Sequence, residues 1–248
     1  MAALQRGKWK RSLIALWVVL CMSVVSVTAS AGETGEDDAA PERPSADVSA
    51  EDLADRVQHF YRQTEDFQAA FLQSYTDIAA GETKRSRGRV YFKKPGMMRW
   101  DYYDSQDDSR RDRVLVSDGN KFWIYELEYQ QVFRQCLEDS QLPTTLRFLM
   151  GEGDLNEDFD IELTDDATED QPELELTPKE PTSHYRKLHF VLDPDTYQVV
   201  RTTVFDPYGN TNVIQFHNIR VNRNLSESSF QFEVPEGARE LNPNKRCD

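Results

Sequence analysis

Chemistry in a folded chain needs reactive side chains at fixed spacings, and this sequence offers few. Its histidines, His59, His184, His189 and His217, fall in no His-x-x-x-His pattern, and Cys21, Cys136 and Cys247 form no Cys-x-x-Cys pair, so zinc ligation has no support. There is no Gly-x-Ser-x-Gly elbow and no phosphate loop; Gly151-Glu152-Gly153 reads as two glycines in a loop ending a helical run. Carboxylates are so abundant, 44 in 248 residues, that a suitably spaced acidic pair carries no information. No catalytic residue, metal or cofactor is therefore expected, and the chain does not read as an enzyme. The unusual supply is apolar: Phe67, Phe71, Met97, Met98, Trp100, Tyr102, Phe122, Trp123 and Phe148. Most of these must pack a core. On a curved sheet, however, a concave face lined by methionine and aromatic rings makes a container for flexible hydrocarbon.

The elements that would hold such a face are legible from periodicity. Ser49-Ala50-Glu51-Asp52 has the form of a capping box, and Leu53, Val57, Phe60 and Tyr61 then recur at helical spacing, which predicts an amphipathic helix of about four turns. The period then switches to two at Phe67, Ala69, Phe71, Gln73 and Tyr75, and again through Gly88, Val90 and Phe92 and through Met98, Trp100 and Tyr102. Val114 and Val116 run into the turn signal Ser117-Asp118-Gly119-Asn120, after which Phe122 and Ile124 share one face and Trp123 and Tyr125 the other. Val132 and Phe133 mark a further strand. Leu142, Leu146, Leu149 and Met150 return to helical spacing. Strands resume at Phe159 to Leu163, Leu174 to Leu176, Tyr185 to Leu192, Tyr197 to Phe205 and Thr211 to Val221, with a helical turn at Ser226 to Phe230 and a polar tail after Gly237. Turns recurring about every ten residues predict about eleven mostly antiparallel strands, forming a strongly curved sheet or barrel with helices at one opening.

The two ends and the charge define the setting. Arg6, Lys8, Lys10 and Arg11 precede an apolar run from Leu13 to Val27, and Ala29-Ser30-Ala31 has the small-x-small form of a cleavage site. Residues 1–31 are expected to be a cleaved signal peptide; the alternative is an uncleaved anchor, for which the run is short. Cys21 follows Leu20 rather than a small residue, against lipidation. Residues 32–48 read as a solvated acidic linker and 49–248 as one domain. The chain has 29 bases against 44 acids, net −15; the segment 1–31 holds four of those bases and no acid, so its removal gives −19. That balance excludes nucleic acid as a partner and disfavours permanent adhesion to anionic lipid. Cys136 and Cys247 are left in an oxidising compartment, either paired or, because Cys247 adjoins the C-terminus, free.

One segment, Tyr91-Phe92-Lys93-Lys94-Pro95-Gly96-Met97-Met98-Arg99-Trp100, resembles the most characteristic stretch of the periplasmic outer-membrane lipoprotein carriers, the LolA family. Val116 to Tyr125 resembles the next block of that family, with Gln131-Val132 following; Phe67 to Gln73 and Leu176-Thr177-Pro178-Lys179 resemble two others. The likeness runs from about Leu53 to Gly237. It implies an incomplete antiparallel β-barrel of eleven strands with a helical lid. It also implies that the protein takes triacylated lipoproteins from an inner-membrane ABC transporter and carries their acyl chains across the periplasm to an outer-membrane acceptor. A monomer is expected.

On this reading Met98 and Trp100 line the cavity mouth. Phe71 and Trp123 are further lining candidates, because alternation alone does not say which face is concave. Leu146, Phe148 and Leu149 are the lid candidates. Lys94 stands where the family usually has an arginine that holds the lid closed, which implies a latch weaker than a planar guanidinium provides. Other readings of the same fold are a sensor of stray lipoprotein, the outer-membrane acceptor itself, and a carrier of a different lipid.

Overall fold

The computed structural model describes residues 48–104, 107, 109–137 and 153–241. Helix α1 (Ala50–Gln63) starts as its sequence requires: the Ser49 hydroxyl accepts from the Asp52 amide at 3.0 Å and the Asp52 carboxylate accepts from the Ser49 amide at 3.4 Å. Its buried stripe is Leu53, Ala54, Val57, Gln58 and Tyr61.

Twelve strands follow: β1 (Asp66–Asp77), β2 (Glu82–Lys93), β3 (Met97–Tyr103), β4 (Arg111–Asp118), β5 (Lys121–Glu126), β6 (Gln131–Cys136), β7 (Phe159–Leu163), β8 (Glu173–Pro178), β9 (Lys187–Leu192), β10 (Val199–Phe205), β11 (Thr211–Val221) and β12 (Arg239–Leu241). A one-turn helix, α2 (Leu155–Asp158), precedes β7 and is capped by Asp154. All the strands belong to one sheet, in the order β12-β6-β5-β4-β3-β2-β1-β11-β10-β9-β8-β7. Neighbours pair antiparallel except β12 with β6, which are parallel. The sheet does not close on itself, and β7 and β12 are its edges. It is the open, incomplete barrel expected, with the polar tail supplying the twelfth strand. A period-two signal needs more than the three residues of Arg239–Leu241, which explains why that strand was not legible.

A single hydrophobic cluster joins α1 to both halves of the sheet: it holds Val57 and Tyr61 of α1 together with Phe71 and Trp100 of one half and Leu188 and Phe190 of the other. The other face has its own smaller cluster, Val114, Val116, Trp123 and Val132. It is covered by the chain after β11, whose 3-10 turn Glu227–Phe230 packs on β3 and β4. Phe232 then lies 5.9 Å from the Trp123 ring. This strap is anchored by buried Asp66, whose carboxylate accepts from the amides of Arg223 at 2.8 Å and Leu225 at 3.0 Å. Cys136, at the end of β6, is disulfide-bonded to a partner outside the described residues.

Candidate functional site

The strands β1, β2 and β3 stack their inward positions in register. Phe71 lies opposite Gly88, and Gly88 opposite Tyr102; Val90 pairs with Trp100 and Phe92 with Met98. The result is an aromatic layer under α1. Phe71 packs edge-on against Trp100 at 4.9 Å and Tyr102 at 5.0 Å, and Phe92 meets Trp100 at 5.8 Å. Met98 is fully buried and Trp100 is 3% exposed. Three of the residues singled out from sequence, Phe71, Met98 and Trp100, are thus brought together on one face.

Gly88 makes this arrangement sterically feasible. A Cβ there would sit 2.7 Å from the Phe71 ring and 2.1 Å from the Asp101 carbonyl oxygen, so only glycine lets the Phe71 ring cross β2 towards Trp100 and Tyr102. An isolated glycine inside a strand pattern is the signal that could have marked it.

Trp100 carries a chemical anomaly. Its indole N–H is buried and has no hydrogen-bond partner among the described residues, with the rings of Phe71 and Phe92 packed against the indole.

The other candidates divide. Trp123 stands on the opposite face, in the Val114–Val116–Val132 cluster beneath Phe232, and does not join Phe71, Met98 and Trp100. The alternation of β5 separates Phe122 from Trp123, and the register of β5 on β4 shows which of the two faces α1. Leu146, Phe148 and Leu149 lie outside the described residues.

Lys94 is in contact with α1. Its Nζ donates to the carbonyl oxygens of Tyr61 at 2.9 Å and Arg62 at 3.0 Å, in the last turn of the helix. The Thr64 hydroxyl donates to the Phe60 carbonyl at 2.9 Å. The Tyr61 carbonyl also accepts from the Thr64 amide at 3.2 Å, so the last-turn carbonyls are satisfied by this backbone bond together with side chains, one of them a cation at the negative end of the helix dipole.

At the other side of α1, Gln58 does what an apolar residue could not. Its amide donates to the Gly153 carbonyl at 3.1 Å and its oxygen accepts from the Leu155 amide at 2.8 Å. Arg62 adds an ion pair to Asp154 at 3.0 Å, and Asp55 accepts from the Asn156 amide group at 2.8 Å. The Gly153–Asn156 segment is therefore fixed to α1. Gln58 was missed because its only sequence signal is a polar residue within an apolar stripe. Tyr61 completes the helix anchoring: its phenol oxygen accepts from the Val199 amide at 3.1 Å, and burial pushes its pKa far above the ordinary phenol range.

The sequence model of the family described as "Outer membrane lipoprotein carrier protein LolA" matches residues 62–233. The outer-membrane lipoprotein carrier protein of Methylococcus capsulatus is 30% identical over 183 residues, covering 73% of this chain and 84% of that one. The protein of the same name from Chromohalobacter salexigens is 26% identical over 186 residues, covering 75% and 84%. Among solved structures, a LolA superfamily protein from Nitrosomonas europaea aligns with a TM-score of 0.41 at 13% identity, over 75% of this chain and 98% of that one.

Proposed function

The chain belongs to the outer-membrane lipoprotein carrier (LolA) family, and from that membership we propose that it is a periplasmic carrier which holds the acyl chains of lipoproteins between α1 and the Phe71–Met98–Trp100 face. The observation that carries the reading is the combination of that face with its cover. The face is made of large, adaptable side chains, and α1 is fixed over it by a few discrete polar contacts, at Arg56, Gln58 and the last turn among them, rather than by a continuous polar seam. Such a cover can lift as a unit.

Energetics favour this kind of closed site. Burial is worth about 0.8 kcal/mol per methylene, so three chains of ~16 carbons would release roughly 40 kcal/mol if fully buried. Non-covalent complexes reach a ceiling near ~20 kcal/mol. A carrier that must also release its cargo therefore needs a cost set against binding. Lifting the Leu53, Val57 and Tyr61 stripe of α1 off the aromatic layer, and breaking the contacts of Lys94 and Gln58, supplies one. Loading and unloading are transfer between hydrophobic surfaces, with no covalent step. The donor is an inner-membrane ABC transporter and the recipient an outer-membrane acceptor or the membrane itself; the carrier acts as a monomer after removal of residues 1–31.

The test is mass spectrometry of what co-purifies with the mature protein from the periplasm, followed by incubation of the emptied protein with inner-membrane vesicles bearing a triacylated lipoprotein. A soluble one-to-one complex with acylated lipoprotein is expected. Recovery of another lipid, together with no lipoprotein release from vesicles, would overturn the cargo assignment.

A further inference from the structure

The sheet face turned away from α1 is not uniformly covered. The strap protects it over β3 to β6, but over β11, β1 and β2 it is open and cationic. Alternation sets Arg85, Arg87, Arg89 and Tyr91 of β2 on this face, opposite Ser74, Leu72, Ala70 and Gln68 of β1. From the other flank of β1, Arg220 and His217 of β11 lie opposite the same Gln68 and Ala70, with a bulge between them. A pocket of about 360 Å3 lies here, lined by Gln68, Ala69, Ala70, Arg89, Tyr91, Asn218 and Arg220. It continues into a groove of about 810 Å3 that adds Arg87, Arg110, Arg111 and His217.

Among the described residues no carboxylate lines either space, in a chain where acids outnumber bases 44 to 29. Arg110 and Arg111 are paired, with Asp104 and Asp101. Arg89 donates to the Tyr91 hydroxyl and stands opposite Asp101 of β3, whose carboxylate is already paired with Arg99 and Arg111. Arg89 and Arg220 are exposed and make no ion pair among the described residues. Strands are spaced ~4.8 Å apart and rise ~3.4 Å per residue, so these two arginines, across β1 and two positions out of step, have Cα atoms roughly 12 Å apart. Two guanidinium groups reaching inward over small Ala70 from that separation can bracket one tetrahedral oxyanion. The Tyr91 hydroxyl and the amide groups of Gln68 and Asn218 offer further neutral donors.

We propose that this pocket binds a phosphate group, either free or as the headgroup of an anionic phospholipid. It lies on the sheet face turned away from α1, so it is separate from the Phe71–Met98–Trp100 face and does not depend on the carrier reading. On a strongly acidic protein, a confined cationic site of this kind orients the molecule at an anionic surface without holding it there permanently. Because both arginines are exposed, binding weakens as salt rises.

The mature protein is titrated at low ionic strength with inorganic phosphate, following the backbone amide resonances of Ala70 and Asn218. It is then sedimented with vesicles of phosphatidylglycerol mixed with phosphatidylcholine, and with phosphatidylcholine alone. The double variant Arg89→Gln/Arg220→Gln is compared with Arg186→Gln/Arg239→Gln, which removes the same charge at exposed positions elsewhere. The expected result is saturable phosphate shifts and binding to the phosphatidylglycerol vesicles, both weakened about tenfold or more in the first variant only. Phosphate shifts without vesicle binding support the site with free phosphate as its ligand. Equal losses in both double variants, or no saturable shift in the wild-type protein, overturn it.

Discussion

Lys94→Met is the sharpest perturbation of the proposed opening, because it removes the ammonium and keeps most of the aliphatic stem. Two hydrogen bonds are lost, at 2.9 Å to the Tyr61 carbonyl and 3.0 Å to the Arg62 carbonyl. A hydrogen bond to a charged group is worth about 1.5–3 kcal/mol when sheltered. Here one bond is part-buried and the other exposed, so solvent screening brings the pair, with its dipole contribution, to about 2 kcal/mol. The contacts of Gln58, Thr64 and Arg62 remain. At 1.4 kcal/mol per decade, opening of α1 becomes roughly 30-fold more frequent. Native-state hydrogen exchange reads this directly: protection of the α1 amides falls by roughly that factor, while amides in β8 and β9, which Lys94 does not touch, keep theirs. Lys94→Arg preserves the carbonyl contacts with a more extensive donor set, so protection rises and release of bound cargo slows. If Lys94→Met leaves α1 protection unchanged while the sheet amides also stay unchanged, Lys94 is no latch, and the opening must be controlled elsewhere.

Three other perturbations separate parts of the same account. Gly88→Ala places a Cβ 2.1 Å from the Asp101 carbonyl oxygen and 2.7 Å from the Phe71 ring, so the denaturation midpoint should fall by the equivalent of about 2–4 kcal/mol; an unchanged midpoint would refute the close approach. Trp100→Phe removes the buried N–H that has no partner among the described residues, whose desolvation penalty of about 1–3 kcal/mol offsets the lost ring volume. It should be nearly neutral in urea denaturation, whereas Trp123→Phe, which has no such relief, loses stability. Glu173 is held below its ordinary value of 4.5 by the hydrogen bond from His189, against its own burial and aided by the nearby Arg201 charge. A depressed carboxylate contributes stability that is complete above its unfolded value and is lost as pH falls through the folded one, so Glu173→Gln should flatten the acid limb of a plot of melting temperature against pH, below about 4.5. An acid limb identical to that of the wild type would show that this network does not couple to folding.

The fold was legible where one physical signal dominated. Helix α1 has a side-chain cap and an apolar stripe that agree, and the hairpins at Gly119 and Gly209 are written in turn residues, so their positions follow from local chemistry. The candidate face was only half legible. Alternation groups Met98 with Trp100 and parts Phe122 from Trp123, but it is blind to which side faces α1. That choice is made by long-range register, Phe71 against Gly88 and Val116 against Trp123, and by a strap about a hundred residues further on whose Phe232 covers Trp123. Gln58 and Gly88 were missed for a related reason. Each looks like a defect in its own element, and its value appears only when the partner it meets, Leu155 or Phe71, is in place.

The same alternation explains how one sheet can carry a movable cover and a fixed one. Lys93 ends β2 and Lys94 opens the turn that follows, and their side chains go to opposite covers. Lys93 donates to the Leu225 carbonyl of the strap at 2.6 Å; Lys94 donates to the last turn of α1. The strap has further anchors independent of Lys93: the two amides held by Asp66, the Arg99 bond to the Ser229 carbonyl at 3.3 Å, and β12 on the sheet edge. Helix α1 has no strand of its own in the sheet, and its polar ties among the described residues are to Lys94, to the Gly153–Asn156 segment, to Val199 and Tyr197, and to Asn222 just past the end of β11. On the proposed opening, breaking those ties would expose the Phe71–Met98–Trp100 face and leave Trp123 beneath Phe232. Opening is thereby confined to one side of the sheet, so the aromatic layer can separate from its cover while the strand register that shapes it stays intact.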